Sequence, residues 1–286
     1  MIRKIVTHPG GAHKDDFLAV CVLIARVQAP VERRVTTPED LQDAEIALVD
    51  IGGSHEPALS NFDHHHFSRE HAPTCALSLV LQHLGLYEDA LRFCDWLEPA
   101  EWFDSRGPNQ TAEWLGVERS VIARLNSPID VTLLRRFARS RELRAGDTLY
   151  EVMRFVGEDL IDFIQTARRR LDRTASVAKL WTMDFSGESK KVAFLPREDS
   201  SLDEPSASLS RYVRDQGLQG QVVALVYPDR RGEGYGITRY EDHPRLDFGR
   251  VETEKDVHFA HTTGFMCKTT SCDESRLKDL VRAAWI

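Results

Sequence analysis

Over the first fifty positions, short apolar runs are separated by turn residues. Residues 3–7 (RKIVT) read as a short buried strand, closed by the Pro9-Gly10-Gly11 turn. Residues 17–27 (FLAVCVLIARV) are apolar on most sides of a helix, and Asp15 or Asp16 is placed to cap it. A strand-like stretch at 32–36 precedes a polar helix or turn at 38–43. Residues 46–49 (IALV) form a fully buried strand that ends in Asp50 and Gly52-Gly53. Strand, helix and strand in alternation predict right-handed crossovers and an α/β fold with a doubly wound, mostly parallel sheet. Ligands of such sheets collect at the carboxyl ends of strands, and His8 and Asp50 stand at two of those ends.

The middle of the chain is helical in pattern at 75–84, 88–103 and 149–180. The last is one long helix or two, with Leu149, Val152, Val156, Leu160, Phe163 and Ile164 at helical spacing. Residues 105–110, after Asp104, read as a polar turn. Beyond 180 the texture changes to a strand at 191–195, an amphipathic helix at 208–216 and a final helix at 277–285. Residues 222–227 and 234–240 read as a hairpin around Arg230-Arg231-Gly232. The expected organisation is a sheet domain over 1–145, a connecting helix over 146–180 and a smaller C-terminal α+β domain over 181–286.

Composition narrows the class. A chain of 286 residues exceeds the ~150 typical of one domain. Its 42% hydrophobic and 29% charged residues mark a globular protein rather than a disordered one. There is no apolar run of about 18 residues for a membrane span, and the N-terminus lacks the apolar segment of a signal peptide. Five cysteines, odd in number and scattered, argue against a disulfide framework and for a cytoplasmic protein with reduced thiols. A net charge of −8 disfavours a general nucleic-acid coat protein, but it leaves room for an enzyme that grips phosphates through metals and a local groove.

The chemistry concentrates in four clusters within the first ~110 residues. They are His8 with His13-Lys14-Asp15-Asp16, then Asp50, then Asp63-His64-His65-His66, then Asp104. Imidazole and carboxylate together suit Mn, Fe, Co or Zn, whereas an all-oxygen set would indicate Mg or Ca. Asp95 competes with Asp104 for the fourth position; Asp104 is preferred because Ser105-Arg106-Gly107 places it at a turn, whereas Asp95 reads as mid-helix. His66, His71, His55 and His83 read as ordinary polar positions, and Asp16 as a helix cap. Cys267 and Cys272 lack zinc-knuckle spacing. Arg168-Arg169-Arg170 reads as a solvated helix face. The absence of GxSxG and HExxH disfavours a serine hydrolase and a zinc peptidase.

The run Asp63-His64-His65, after an Asp-terminated strand and a His-rich first loop, resembles the DHH phosphoesterase superfamily. Thr7-His8-Pro9-Gly10-Gly11-Ala12-His13-Lys14-Asp15-Asp16 is similar to the THxGxxHxDD opening of one branch, formerly described as metal-dependent protein hydrolases and including 3′–5′ exoribonucleases. Glu101-Trp102-Phe103-Asp104 before Gly107 resembles that branch's DxxDNG segment, and His261-Thr262-Thr263-Gly264-Phe265 its HxxGF motif. Met266-Cys267-Lys268 stands where the branch usually has a glycine pair.

The resemblance implies two divalent ions, Mn²⁺ preferred over Co²⁺ or Zn²⁺. One is held by His8, His13 and Asp50, the other by Asp15, Asp50, His64 and Asp104, with Asp50 bridging. It further implies that His65 meets the scissile phosphate or protonates the leaving oxygen, and that Asp63 orients the histidines. His261, Gly264 and Lys268 become the expected substrate contacts. Single-stranded RNA or an oligonucleotide is the expected substrate, with no membrane partner; a homo-oligomer is compatible with the sequence. A small-molecule phosphoesterase acting on a cyclic dinucleotide or pyrophosphate, and a non-hydrolytic binding protein stapled by metals, stand as alternatives.

Overall fold

The computed structural model describes residues 1–124, 127–197 and 204–286. The chain divides into two compact units, Met1–Ala167 and Arg168–Ile286. That division falls inside the long helix expected as a connector.

The first unit begins with β1 (Lys4–Thr7), α1 (Lys14–Val27), β2 (Val31–Arg33) and β3 (Ile46–Val49). Two short strands, β4 (His55–Glu56) and β5 (Asn61–Phe62), lead into helices α2 (Ala76–His83), α3 (Tyr87–Phe93), α4 (Leu97–Leu115), α5 (Arg119–Arg124) and α6 (Pro128–Arg139). Strand β6 (Glu142–Leu143) then precedes α7 (Thr148–Val177). The sheet order is β4-β5-β3-β1-β2-β6. Its four central strands run parallel, and the edge strands β4 and β6 are antiparallel to their neighbours.

Burial explains why α1 is apolar nearly all round. Val20, Cys21, Val22 and Ile24 are all fully buried. On one side α1 shares a core with Ile5, Val31, Ala47, Val49 and Phe62 of the sheet; it also meets α7, where a Cβ on Gly157 would lie 2.0 Å from the Cys21 carbonyl oxygen. Only a glycine permits that approach. The alternate residues Val6, Ile46 and Leu48 point to a smaller cluster completed by Leu41 and Ile51. Among the described residues, that second face is covered by the short 3₁₀ turn Asp40–Gln42 rather than by a long helix.

Three expectations need correction. The strand expected at 32–36 is Val31–Arg33. The helical run 88–103 is broken at Cys94-Asp95-Trp96 into α3 and α4. The turn expected at 105–110 lies within α4, interrupted at Gly107 (φ 78°, ψ 170°) and resumed at Pro108. Proline suits the first turn of a helix, where its missing N–H has no partner to lose.

The second unit is a six-stranded sheet in the order β11-β12-β10-β9-β8-β7. Its elements are β7 (Lys179–Phe185), β8 (Glu188–Phe194), α8 (Pro205–Asp215), β9 (Val222–Pro228), β10 (Tyr235–Arg239), β11 (Val257–Ala260), β12 (Met266–Thr269) and α9 (Glu274–Ala283). The β9–β10 pair is the expected hairpin; β8 and β9 alone run parallel, joined through α8. Trp181, Met183, Phe194, Ile237 and Cys267 pack with Leu277, Leu280 and Trp285 to form its core. Among the described residues no helix is long and apolar enough to cross a membrane.

Candidate metal centre

Three neighbouring parallel strands, β1, β3 and β5, end on the site. His8 follows β1, Asp50 follows β3, and Asp63-His64-His65 follows β5. Asp50 takes a left-handed backbone (φ 56°), which a non-glycine residue adopts only under constraint. Its N–H donates to the Phe62 carbonyl at 3.0 Å, so the strained residue is pinned between two strands. His13 caps α1, and Asp16 in the first turn accepts from the His13 N–H at 2.7 Å and the Phe17 N–H at 2.9 Å. The expected capping role of Asp16 is thus visible, although Asp16 also does more: Arg33 donates to it at 3.2 Å and to the Gly11 carbonyl at 2.9 Å. Arg33 ties the first loop to β2.

The structure brings His8, His13, Asp15, Asp50, His64 and Asp104 together. Ligand-type atoms of His8, His13 and Asp50 lie within 4.8 Å of one another, as do those of Asp15, Asp50, His64 and Asp104. Asp50, His64 and His65 form a third such group, and Asp50 belongs to all three. His64 Nε2 is 3.1 Å from Asp50 Oδ1 and 2.8 Å from Asp104 Oδ2, while His8 Nε2 is 3.4 Å from Asp50 Oδ2. Asp104 reaches the cluster from a helix rather than a turn, and Asp95, in the break between α3 and α4, takes no part in these groups.

The electrostatics are those of a crowded anionic centre. Asp15 is 3% exposed, and neither of its carboxylate oxygens meets a hydrogen-bond donor of the protein. Burial first, then Asp50 and Asp104, pushes its carboxyl well above the ordinary range. A buried carboxylate left unpaired costs several kcal/mol or more, and such groups are normally paired or coordinate metals. His8 is pushed up to about 10 by Asp16 and then Asp50. For His64, burial works against the charge, but Asp104 and Asp50 outweigh it and carry the ring to about 10. Three carboxylates and three imidazoles in this space fit divalent cations of borderline softness.

The two adjacent histidines differ in setting. The His64 side chain is 7% exposed and lies among Asp50 and Asp104; that of His65 is 64% exposed. His65 Nδ1 is 2.7 Å from Asp63 Oδ1 and 3.5 Å from Asp50 Oδ1. Asp63 is itself fixed by the Gly53 N–H at 2.6 Å and the His65 N–H at 3.0 Å. Asp63 raises the His65 ring above its ordinary value.

In the second unit, His261 and Gly264 occupy the turn between β11 and β12. His261 Nδ1 accepts from the Thr263 N–H at 3.2 Å, and its ring packs 4.4 Å from Phe265. Gly264 (φ 67°) is fixed as glycine, since a Cβ there would lie 1.9 Å from Asp247 Oδ1. Lys268 on β12 is paired with the buried carboxylate of Asp229 at 2.7 Å.

Residues 4–85 match the model of the MYG1_exonuc family, described as an uncharacterised protein family (UPF0160). This stretch carries His8, His13, Asp15, Asp50 and the Asp63-His64-His65 run, on which the DHH resemblance rests. No curated protein matches the chain at a significant level. Among solved structures, a DHH domain described as belonging to a family of ribosomal proteins is similar at 12% identity and a TM-score of 0.33, over 99% of this chain and 85% of that one. RecJ of Thermus thermophilus in complex with Mn²⁺ is similar at 12% identity and a TM-score of 0.28, over 98% of this chain and 51% of RecJ. Its Mg²⁺ complex gives 14% and 0.29, over 98% and 49%. The chain spans about half the length of RecJ.

Proposed function

From the match of residues 4–85 to the MYG1_exonuc family and the geometry of the cluster, we propose that the chain hydrolyses phosphodiesters with two divalent metal ions, as a 3′–5′ exonuclease on RNA or short oligonucleotides. The observation that carries this reading is the Asp15 carboxylate, buried without a donor beside Asp50 and Asp104. His8, His13 and Asp50 would hold one ion, and Asp15, Asp50, His64 and Asp104 the other. Mn²⁺ suits the mixed imidazole and carboxylate set better than Mg²⁺. When bound, such ions supply Lewis-acid stabilisation and make water nucleophilic near neutral pH.

His65 acts on the leaving group. Its ring is solvent-accessible, and Asp63 raises its hold on the proton that it would donate to the leaving oxygen. Asp63 fixes the ring through Nδ1, which leaves Nε2 for substrate. Asp50, locked by its strained backbone, keeps its carboxylate ionised: burial opposes the charge, but His64 and His8 outweigh it. His261, Gly264 and Lys268 in the second unit are proposed to take part in recognising the substrate.

The test is a panel of 5′- and 3′-labelled RNA, DNA, dinucleotides and pyrophosphate incubated with Mn²⁺-loaded protein. Stepwise laddering of RNA from the 3′ end supports the proposal. Cleavage of dinucleotides or pyrophosphate alone replaces it with a small-molecule phosphoesterase. No hydrolysis of any substrate rejects it in favour of a binding protein.

A further inference from the structure

Helix α6 carries a second feature that the metal chemistry does not use. Arg135, Arg136 and Arg139 line a cavity of about 510 Å³, together with Thr132, Ser140 and Leu149. All three arginines are exposed. Among the described residues, the nearby acids are engaged elsewhere. Asp130 pairs with Lys14, Glu142 with Arg144, and Glu151 with Arg154. Asp147 accepts from the Arg144 backbone N–H. Three exposed arginines therefore line one concavity with no carboxylate paired to them among the described residues, in a chain whose net charge is −8. Like charges gathered in this way repel, and a surface that needed only solubility has no reason to concentrate them.

The opposite face of α6 is fixed to the loop that carries the metal-type residues. Phe137 is fully buried, 5.5 Å edge-on from Phe17. The Arg33 guanidinium lies 4.2 Å over the Phe137 ring while holding Asp16 and the Gly11 carbonyl. Asp130 in the first turn of α6 pairs with Lys14 at the start of α1. At 1.5 Å per residue, Arg135 to Arg139 sit about 8–14 Å along the helix axis from Asp130.

We propose that this arginine-lined cavity binds the phosphate backbone of a single-stranded nucleic acid outside the metal cluster. Arginine forks match phosphate oxygens in a bidentate manner, and the Thr132 hydroxyl adds a neutral donor, whereas the Ser140 hydroxyl already donates to the Arg136 carbonyl at 3.0 Å. Among the described residues no aromatic ring lines the cavity to stack on a base, so the site reads backbone rather than sequence. The identity of the ligand as nucleic acid rests on the proposed function; the phosphate chemistry of the cavity does not.

The test measures binding of a fluorescein-labelled single-stranded RNA by anisotropy, over a salt series and in EDTA so that turnover is absent. For the full chain carrying R135A, R136A and R139A, affinity is expected to fall at least tenfold. At about 0.7 per phosphate on a single strand, the slope of log affinity against log salt should also shrink by about 2. The corresponding triple lysine variant should recover most of the slope, which separates charge from folding. Affinity and slope both unchanged in the triple alanine variant would overturn the proposal. Full displacement of the RNA by an equal concentration of pyrophosphate would also overturn it, because the cavity would then be a small-phosphate pocket. Because hydrolysis is silent in EDTA, failure of the arginine site and failure of the nuclease reading are told apart.

Discussion

Arg33 donates to Asp16 at 3.2 Å, with neither side chain more than 2% exposed. The same guanidinium holds the Gly10 and Gly11 carbonyls and stacks on Phe137, so one residue joins the first loop, β2 and α6. Removing one partner of such a pair strands the other charge in the interior, which typically costs about 3–5 kcal/mol. Arg33→Ala is therefore expected to destabilise the fold by about that amount in urea unfolding and to weaken Mn²⁺ binding by loosening His8 and His13. Combining it with Asp16→Asn should recover part of the loss. A strictly additive double variant would show that the two side chains are not coupled.

Asp15 gives a prediction that separates a metal ligand from a structural acid. Without metal its buried carboxylate is repelled by Asp50 and Asp104 and has no donor, so Asp15→Asn should leave the metal-free protein at least as stable as the wild type. A ligand that binds only the folded state adds about 2.7 kcal/mol at a hundred times its Kd. The wild type should gain that much from Mn²⁺, and Asp15→Asn should lose most of the gain. An undiminished Mn²⁺-dependent shift in the variant would remove Asp15 from the ligand set.

How much of this was legible depended on whether a residue's signal was local. The strand Ile46–Val49 is buried at every position, and its bounds follow from the apolar run alone. Strand β7 is hard to see in the sequence because Ala178 alone separates it from α7, so no turn residue marks the change. Its own signal is the alternation that buries Trp181, Met183 and Phe185 between exposed Thr182 and Asp184. Strands β4, β5 and β6 have two residues each, too few for a period to show. The turn that favours Asp104 over Asp95 in the sequence is a glycine-permitted interruption of a helix. Arg33 left no local trace, since its partners lie 17 to 23 residues away in sequence and meet it only when β1 and β2 pair.

Acid should expose a second ion pair in the same unit, between buried Asp40 and half-buried Arg34. Asp40 accepts from Arg34 at 2.5 and 2.9 Å and from the Thr37 N–H at 2.7 Å, and Arg34 above all lowers its carboxyl from 3.8 to about 2. A depressed folded-state value contributes stability that is fully present above 3.8 and is lost as pH falls through about 2. The wild type should lose stability over that window more steeply than Asp40→Asn, which lacks the titrating group. Parallel unfolding curves for the two proteins across the window would show that the pair contributes nothing.

His64 and His65 provide the clearest division between holding metal and moving a proton. His64 is enclosed by Asp50 and Asp104, whereas His65 is open to solvent and fixed at one nitrogen by Asp63. His64→Ala should therefore lose one metal per chain and all turnover. His65→Ala should keep near-normal metal content yet lose about 10²-fold or more in single-turnover rate, the usual scale for a general acid. Asp63→Asn should fall between, since the ring remains but loses the carboxylate that orients it and favours its protonated form. One feature argues the other way: Asp50, His64 and His65 also form a group of ligand-type atoms within 4.8 Å. If His65 holds metal through that group, its alanine variant will lose an ion. Elemental analysis beside single-turnover kinetics on the three variants decides between the two roles, and loss of a metal from His65→Ala with both ions kept in His64→Ala would reverse the assignment.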